Sequence, residues 1–249
     1  MELKDLLEQV PGMDRRFVYY LEGQGYIKPL KIRKRRISRR DYTGEDLEIL
    51  KQVWRHYQRG YSVQAAWDLI SRGRQVLAYA TFEAPPRSWQ NLLEAVKGCP
   101  EVVEASVVHG ASSVDFVVKM AAFTDEDIYG SLLPIFVKAG IPTVPVVMKA
   151  GQVYTKGSQV TGKERGMLAY ILMKVPGKDV QDAMEQLKEF EEVVEASTIY
   201  GESDVVVKVR TPDQESLDRL VMDKLHGLHM VESTRTFIVV GRLHWSRPG

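Results

Sequence analysis

The sequence is short of cysteine, of long apolar runs and of any excess of one charge. Cys99 stands alone among 249 residues, so an intramolecular disulfide and a cysteine-built zinc cage are both excluded, and a reducing compartment fits. No stretch reaches the roughly 18 consecutive apolar residues of a spanning helix. Met1-Glu2-Leu3-Lys4-Asp5 sets charges where a secretory leader needs apolar residues. Together these imply a cytoplasmic chain with no membrane partner. Catalytic signatures are also missing: there is no nucleophile elbow, zinc-protease helix or dinucleotide fingerprint. His226 and His229 lie three apart with no Cys, Asp or third His placed to complete a metal site. Gly157 to Lys163 fits G-x-x-x-x-G-K, but Glu164 stands where Ser or Thr would reach magnesium and a strand pattern follows, so the stretch reads as a linker. The expectation is a protein that is not an enzyme and needs neither cofactor nor metal.

Charge is present but unevenly placed. Thirty-four Lys and Arg against 33 Asp and Glu leave a formal charge of +1, which says nothing about polyanion binding. Residues 1–75 hold 16 basic and 10 acidic side chains, and residues 76–249 hold 18 and 23. A basic head is attached to a mildly acidic body.

The body repeats itself. Leu77-Ala78-Tyr79 recurs as Leu168-Ala169-Tyr170, Pro85 as Pro176, and Glu101-Val102-Val103-Glu104-Ala105-Ser106 as Glu192-Val193-Val194-Glu195-Ala196-Ser197, all at an offset of 91 residues (168 − 77 and 192 − 101). Two copies, 76–150 and 166–243, flank a polar stretch from Gly151 to Arg165. In each copy a short apolar run (Val76 to Phe82, Met167 to Met173) precedes a helical spacing (Trp89 to Lys97, Val180 to Lys188). Two further runs separated by a Gly-containing loop then read as a hairpin: Val102 to Val108 with Val114 to Met120, and Val193 to Tyr200 with Val205 to Val209. A second helix (Asp125 to Lys138, Asp213 to Leu225) and a last strand (Thr143 to Met148, Thr234 to Val240) complete the order βαββαβ, which is ferredoxin-like.

Residues 1–75 show almost no strand signal. Leu3 to Val10 is amphipathic, Pro11-Gly12 breaks it, Asp14 can cap Arg15 to Glu22, and Gly23 and Gly25 stop that helix. Two short helices across a tight turn form a helix-turn-helix candidate. Next comes a segment with eight Lys or Arg among the thirteen residues 28–40, able to release counterions from several phosphates. Thr43, three residues before Asp46, caps a helix from Gly44 to Tyr57, and a final helix spans Ser62 to Ile70. Trp54 and Trp67 fall on apolar helix faces and read as core.

In this region the chain resembles the DNA-binding domain of MerR-type regulators. The resemblance is carried by Gly12, Arg15-Arg16, Tyr20, Glu22, Gly25, Ile27-Lys28-Pro29, Arg40, Tyr42-Thr43, Glu45-Asp46-Leu47 and Gly60-Tyr61-Ser62. It implies an all-α winged helix-turn-helix domain whose helix Arg15 to Glu22 enters the major groove of double-stranded DNA while a wing follows the backbone. The DNA-contacting residues it implies are Arg15, Arg16, Tyr19, Tyr20, Lys31, Arg33, Lys34, Arg35, Arg36, Arg39, Arg40 and Tyr42. Where the family usually has Arg-Tyr-Tyr-Glu, this chain reads Tyr19-Tyr20-Leu21-Glu22, so that Arg's backbone contact passes to Arg15 or Arg16. The family's long dimerisation helix has no room between Ile70 and Val76, so association must come from the repeats.

The repeats resemble the RAM domain of Lrp/AsnC-type regulators, through Gly201-Glu202-Ser203-Asp204 followed by Val205-Val206-Val207-Lys208. The first copy has a loop longer by two, Gly110 to Asp115. That resemblance implies homodimers or higher oligomers, and an amino-acid-like effector held by Gly110, Ser112, Asp115, Gly201, Ser203 and Asp204. The expected fold class is therefore α+β: an all-α winged helix-turn-helix domain at 1–75 and two tandem βαββαβ ferredoxin-like domains at 76–150 and 166–243. The expected function is a one-component transcriptional regulator. The alternatives are a metabolic protein with ACT-like regulatory domains and an architectural nucleoid protein.

Overall fold

Capping side chains set the helix starts of the first unit, Met1–Arg74. The computed structural model describes residues 1–34, 37–110, 113–156 and 166–247. Helix α1 (Leu3–Glu8) leads into a turn in which Gly12 has φ +83°, a left-handed conformation that glycine adopts without strain. Asp14 then accepts from the Phe17 amide at 2.8 Å and starts α2 (Arg15–Gly23). Thr43 and Asp46 form a reciprocal capping box on α3 (Gly44–Gln58), and Ser62 caps α4 (Val63–Ser71). Leu6, Val18, Leu21, Ile27, Leu50, Val53 and Ala66 form the buried core of this unit. Burial of each large aliphatic side chain there contributes about 1.5–3 kcal/mol. Trp54 and Trp67 pack against this core, Trp67 stacked on Tyr26 at 4.5 Å between ring centroids.

The all-α expectation for this unit is corrected. Leu30–Lys34 (β1) and Ile37–Asp41 (β2) pair antiparallel, Leu30 opposite Asp41 and Lys34 opposite Ile37. Leu30 and Ile32 alternate with Lys31 and Arg33, a period of two that the density of cations hides in the sequence. Arg35 and Arg36 lie outside the described residues.

The second unit, Gln75–Gly249, runs through the same element order twice. Its first half is β3 (Val76–Phe82), α5 (Trp89–Lys97), β4 (Val102–Gly110), β5 (Phe116–Ala122), α6 (Asp125–Ala139) and β6 (Val146–Thr155). Its second half is β7 (Met167–Lys174), α7 (Val180–Glu189), β8 (Val193–Tyr200), β9 (Val205–Thr211), α8 (Gln214–Arg219) extended by a π-helical turn at Leu220–Leu225, and β10 (Ser233–Ser246). Each half orders its strands fourth, first, third, second. The fourth strand then runs on: β6 pairs with β8 and β10 with β4, so that these strands close into one barrel, β10-β4-β5-β3-β6-β8-β9-β7.

That long-range pairing explains where the sequence expectation stops short. The strand expected at Thr143 to Met148 is Val146–Thr155, because its distal half pairs Val153 with Ser197 and Thr155 with Glu195 across a bulge. Gly151 to Thr155, expected in the linker, is therefore strand. The loop resembling a phosphate-binding motif, 157–163, lies outside the described residues.

Strands buried on both faces alternate between two cores. On β3, Ala78, Ala80 and Phe82 pack in the core shared with α5 and α6, while Tyr79 joins Val108, Val117, Met148, Tyr170, Leu172, Ile199, Val206 and Phe237 inside the barrel. On β7, Ala169, Ile171 and Met173 pack in the core that includes α7.

Candidate functional site

Helix α2 presents four expected contact residues together. Arg15 and Tyr19, and Arg16 and Tyr20, are four apart and share the solvent side, Tyr19 44% and Tyr20 50% exposed, while Val18 and Leu21 hold the core side. The hairpin is tied to α2 through Glu22, whose side chain is 12% exposed. Arg40 Nε donates to Glu22 Oε2 at 2.6 Å, and Lys31 Nζ lies 3.3 Å from Oε1. The Arg40 guanidinium also sits 4.8 Å from the centre of the Tyr19 ring. Arg39 pairs with Glu2 at 2.9 Å, with both side chains exposed, so little energy resists its release to another anion.

The expected residues thus divide by role. Arg15, Arg16, Tyr19 and Tyr20 are open to solvent. Lys31 and Arg40 fasten the hairpin, and Arg33 and Lys34 lie on β1. Tyr42 is corrected from a surface contact to a core residue. It is 2% exposed, and burial, followed by the nearby Glu22 carboxylate, pushes its phenol up to about 12. The charged sequence around Tyr42, Arg39-Arg40-Asp41 before it and Glu45-Asp46 after it, gave no sign that the ring turns inward.

The barrel interior holds polar chemistry that sequence reasoning did not single out. Tyr79 donates to Glu195 and lies 3.3 Å from Ser197 Oγ, and Lys119 Nζ reaches Glu195 at 2.5 Å. The same arrangement recurs with the halves exchanged: Tyr170 donates to Glu104 and lies 3.0 Å from Ser106 Oγ, and Lys208 Nζ reaches Glu104 at 2.6 Å. In each cluster Tyr and Lys come from one half, and Glu and Ser from the other. Burial raises both phenols well above the ordinary tyrosine value, with the partner carboxylate adding to it. Burial opposes the Glu104 charge, but Lys208 and the Tyr170 hydroxyl outweigh it and hold the carboxyl below its ordinary value. The signal was present in the repeat, since Tyr, Glu and Ser recur at the 91-residue offset inside otherwise apolar strands.

One cluster has an extra member. His244 Nδ1 lies 2.8 Å from Ser106 Oγ, and burial lowers its pKa, with Lys208 and Arg210 adding and Glu104 opposing. His244 opposes Ser106 in the β10–β4 register, and the corresponding residue opposite Ser197 is Val153. Beside His244, strand β10 breaks register between Val239 and His244, with Gly241 at φ +53°. A cavity of about 680 Å³ opens there, bordered by the ends of β4, β7 and β9.

The expected effector residues occupy the hairpin loops, where the structure shows them making internal contacts. Asp115 accepts from the Ala84 amide at 2.8 Å, and Asp204 from the Val175 amide at 3.0 Å, the same contact in each half. Asp204 also pairs with Lys174 at 3.0 Å. Ser203 is buried and bonds Arg235 at 3.1 Å. At Gly110 a Cβ would lie 2.4 Å from the Thr236 carbonyl, and at Gly201 one would lie 3.1 Å from Met148 Cγ. Ser112 lies outside the described residues. Among the described residues no helix is long and apolar enough to cross a membrane.

Residues 168–247 match the family described as Lrp/AsnC ligand binding domain. Over 74 residues the chain is 36% identical to the HTH-type transcriptional regulator FL11 of Pyrococcus horikoshii, an overlap of 30% of this chain and 48% of that protein. The FL11 regulator of Pyrococcus furiosus is 35% identical over the same length, again with 48% of it covered. The chain spans about half the length of these curated relatives. Among solved structures, the siroheme decarboxylase NirDL is similar at a TM-score of 0.53 with 11% identity, over 96% of this chain and 89% of that one, a likeness of fold alone.

Proposed function

We propose that this chain, which carries an Lrp/AsnC ligand binding domain in its second repeat, is a one-component transcriptional regulator. In this reading the first unit is a MerR-type winged helix-turn-helix that binds duplex DNA, with the β1–β2 hairpin as its wing. The second unit is a pair of ferredoxin-like RAM domains that senses a small molecule such as an amino acid and joins chains into a homodimer or larger assembly. The chain is cytoplasmic and performs no catalysis. The observation that carries the reading is the solvent face of α2, where Arg15, Arg16, Tyr19 and Tyr20 stand together beside a basic hairpin anchored to that helix by Glu22. An α-helix fits the major groove, and cations flanking it take phosphates and set its register. A dimer then reads an inverted repeat.

The test is fluorescence anisotropy of the full chain on its own upstream DNA, with random duplex as competitor, across a salt series. Each phosphate contact contributes about 0.9 to the slope of log K against log salt. Arg15→Gln with Arg16→Gln is expected to reduce that slope by one to two, whereas Tyr42→Phe leaves it unchanged. Absence of binding at low salt would remove the regulator reading, and binding without preference for the upstream site would favour a nucleoid protein.

A further inference from the structure

We infer that the cavity at the β10 bulge binds a small organic anion, a carboxylate- or phosphate-bearing molecule with an apolar body, at one site per chain. The inference concerns binding alone and stands whether or not the first unit engages DNA. It also uses none of the hairpin residues Asp115, Ser203 and Asp204, whose polar atoms are engaged within the fold.

Charge is the first argument. Arg242, His109 and His244 line the cavity, and no carboxylate does so among the described residues. The nearest buried carboxylate in its network, Glu104, is already matched by Lys208 at 2.6 Å. The Arg242 guanidinium presents donors in a planar fork that matches carboxylate or phosphate oxygens. His244 has its Nδ1 engaged by Ser106 at 2.8 Å, which leaves Nε2 as the nitrogen for a ligand. Apolar surface is the second argument. Met167 and Val239 line the same cavity, so a ligand carrying only charge would leave that wall unused. At about 680 Å³ the space suits a molecule of tens of atoms rather than a bare ion.

Comparison of the two halves gives a third, independent argument. The sites are related by the repeat, yet only one is built this way. His109 corresponds to Tyr200, and His244 to Val153, so both imidazoles are particular to one end of the barrel. At the other end the break in β6 lies between Ala150 and Val153, two residues shorter than the break in β10. There Gly151 lies against Thr198 and the Tyr200 ring, close enough that a Cβ would sit 2.7 Å from Thr198 Oγ1, and the Gln152 amide donates to that oxygen at 2.8 Å. At the β6 end the backbone of the bulge lies against Thr198 and Tyr200, and at the β10 end a cavity opens beside the bulge.

The experiment is isothermal titration calorimetry of the full chain with octanoate, octyl phosphate and, as a cationic control, octylammonium. One or both anions are expected to bind at a stoichiometry of one, and octylammonium not at all; which anion binds more tightly distinguishes carboxylate from phosphate. Arg242→Gln and His244→Val are each expected to weaken binding about tenfold, equivalent to about 1.4 kcal/mol. His244→Val reproduces the residue found at Val153, and exposed Arg242 lies outside every core cluster, so both variants are expected to fold; near-ultraviolet circular dichroism checks this. Arg219→Gln, on exposed α8, should leave binding unchanged. The inference is overturned by no heat with either anion at low salt, by equal binding of octylammonium, by a stoichiometry of two, or by unchanged affinity in folded Arg242→Gln and His244→Val.

Discussion

Replacing Tyr170 by Phe tests the buried clusters of the barrel most directly. Tyr170 is 2% exposed, its hydroxyl donates to Glu104, and Ser106 stands 3.0 Å away. Phe keeps the ring, so no cavity opens, and the change isolates the hydroxyl. A hydrogen bond to a charged acceptor contributes roughly 1.5–3 kcal/mol, and its loss leaves Glu104 with Lys208 as its remaining strong partner. A loss of about 2 kcal/mol is expected, which for a body of this size corresponds to about 4–8 °C in Tm. Tyr79→Phe should match it, because Glu195, Ser197 and Lys119 surround Tyr79 in the same way. Tyr200, 70% exposed, is the control, and its Phe variant should stay within about 0.5 kcal/mol of the parent. Urea unfolding followed by hydrogen exchange of the β7 and β9 amides separates the second unit from the first. A double-mutant cycle of Tyr170→Phe with Glu104→Gln should show coupling of about 1 kcal/mol or more. If Tyr170→Phe proves indistinguishable from Tyr200→Phe, the interior network contributes nothing and the reasoning fails.

Three further outcomes follow from the same geometry. The folded pKa of His244 is depressed below its ordinary value near 6.5, chiefly by burial, so the unfolded chain takes up the proton first; the second unit should lose stability as pH falls below about 6.5, and His244→Val should flatten that part of the curve. Asp14→Ala removes the cap that the Phe17 amide uses, and should destabilise the first unit by about 1 kcal/mol by thermal unfolding, with DNA affinity falling in parallel. Gly110→Ala would press a Cβ to 2.4 Å from the Thr236 carbonyl, and should lower stability by about 2–3 kcal/mol, since neither residue can move without disturbing the β4–β10 pairing that closes the barrel.

Local signals in the sequence carried far, and non-local ones did not. Asp14 and Thr43 marked the starts of α2 and α3, because a cap acts within one turn of its own backbone. Val76–Phe82 and Trp89–Lys97 lie where the apolar spacing puts them, since that spacing directly reports which faces are buried. The hairpin at Leu30–Asp41 was obscured because its strands are held by pairing and by Glu22 rather than by an apolar face; Leu30 is 63% exposed. The extension of β6 to Thr155 depends on β8, forty residues further on, and no window of neighbouring residues contains it. For the candidate sites, Arg15, Arg16, Tyr19 and Tyr20 were put forward by the resemblance to MerR-type regulators, and the structure sets all four on the solvent side of α2. Tyr42, placed at the surface by resemblance, was displaced by its own apolar ring. The cavity beside His244 was invisible because Arg210, Arg242 and His109 meet only after the barrel closes.

Closure of the barrel within one polypeptide has a consequence for how its two ends can change. Were each half a separate identical subunit, any substitution would appear at both ends, and the barrel would dissociate on dilution. Here the two halves are always present in equal amount, so closure of the barrel itself is intramolecular and does not wait on a second chain. Each end is also encoded separately: a histidine can face Ser106 while a valine faces Ser197, and a ligand acting at one end breaks a symmetry that the chain has already ceased to obey.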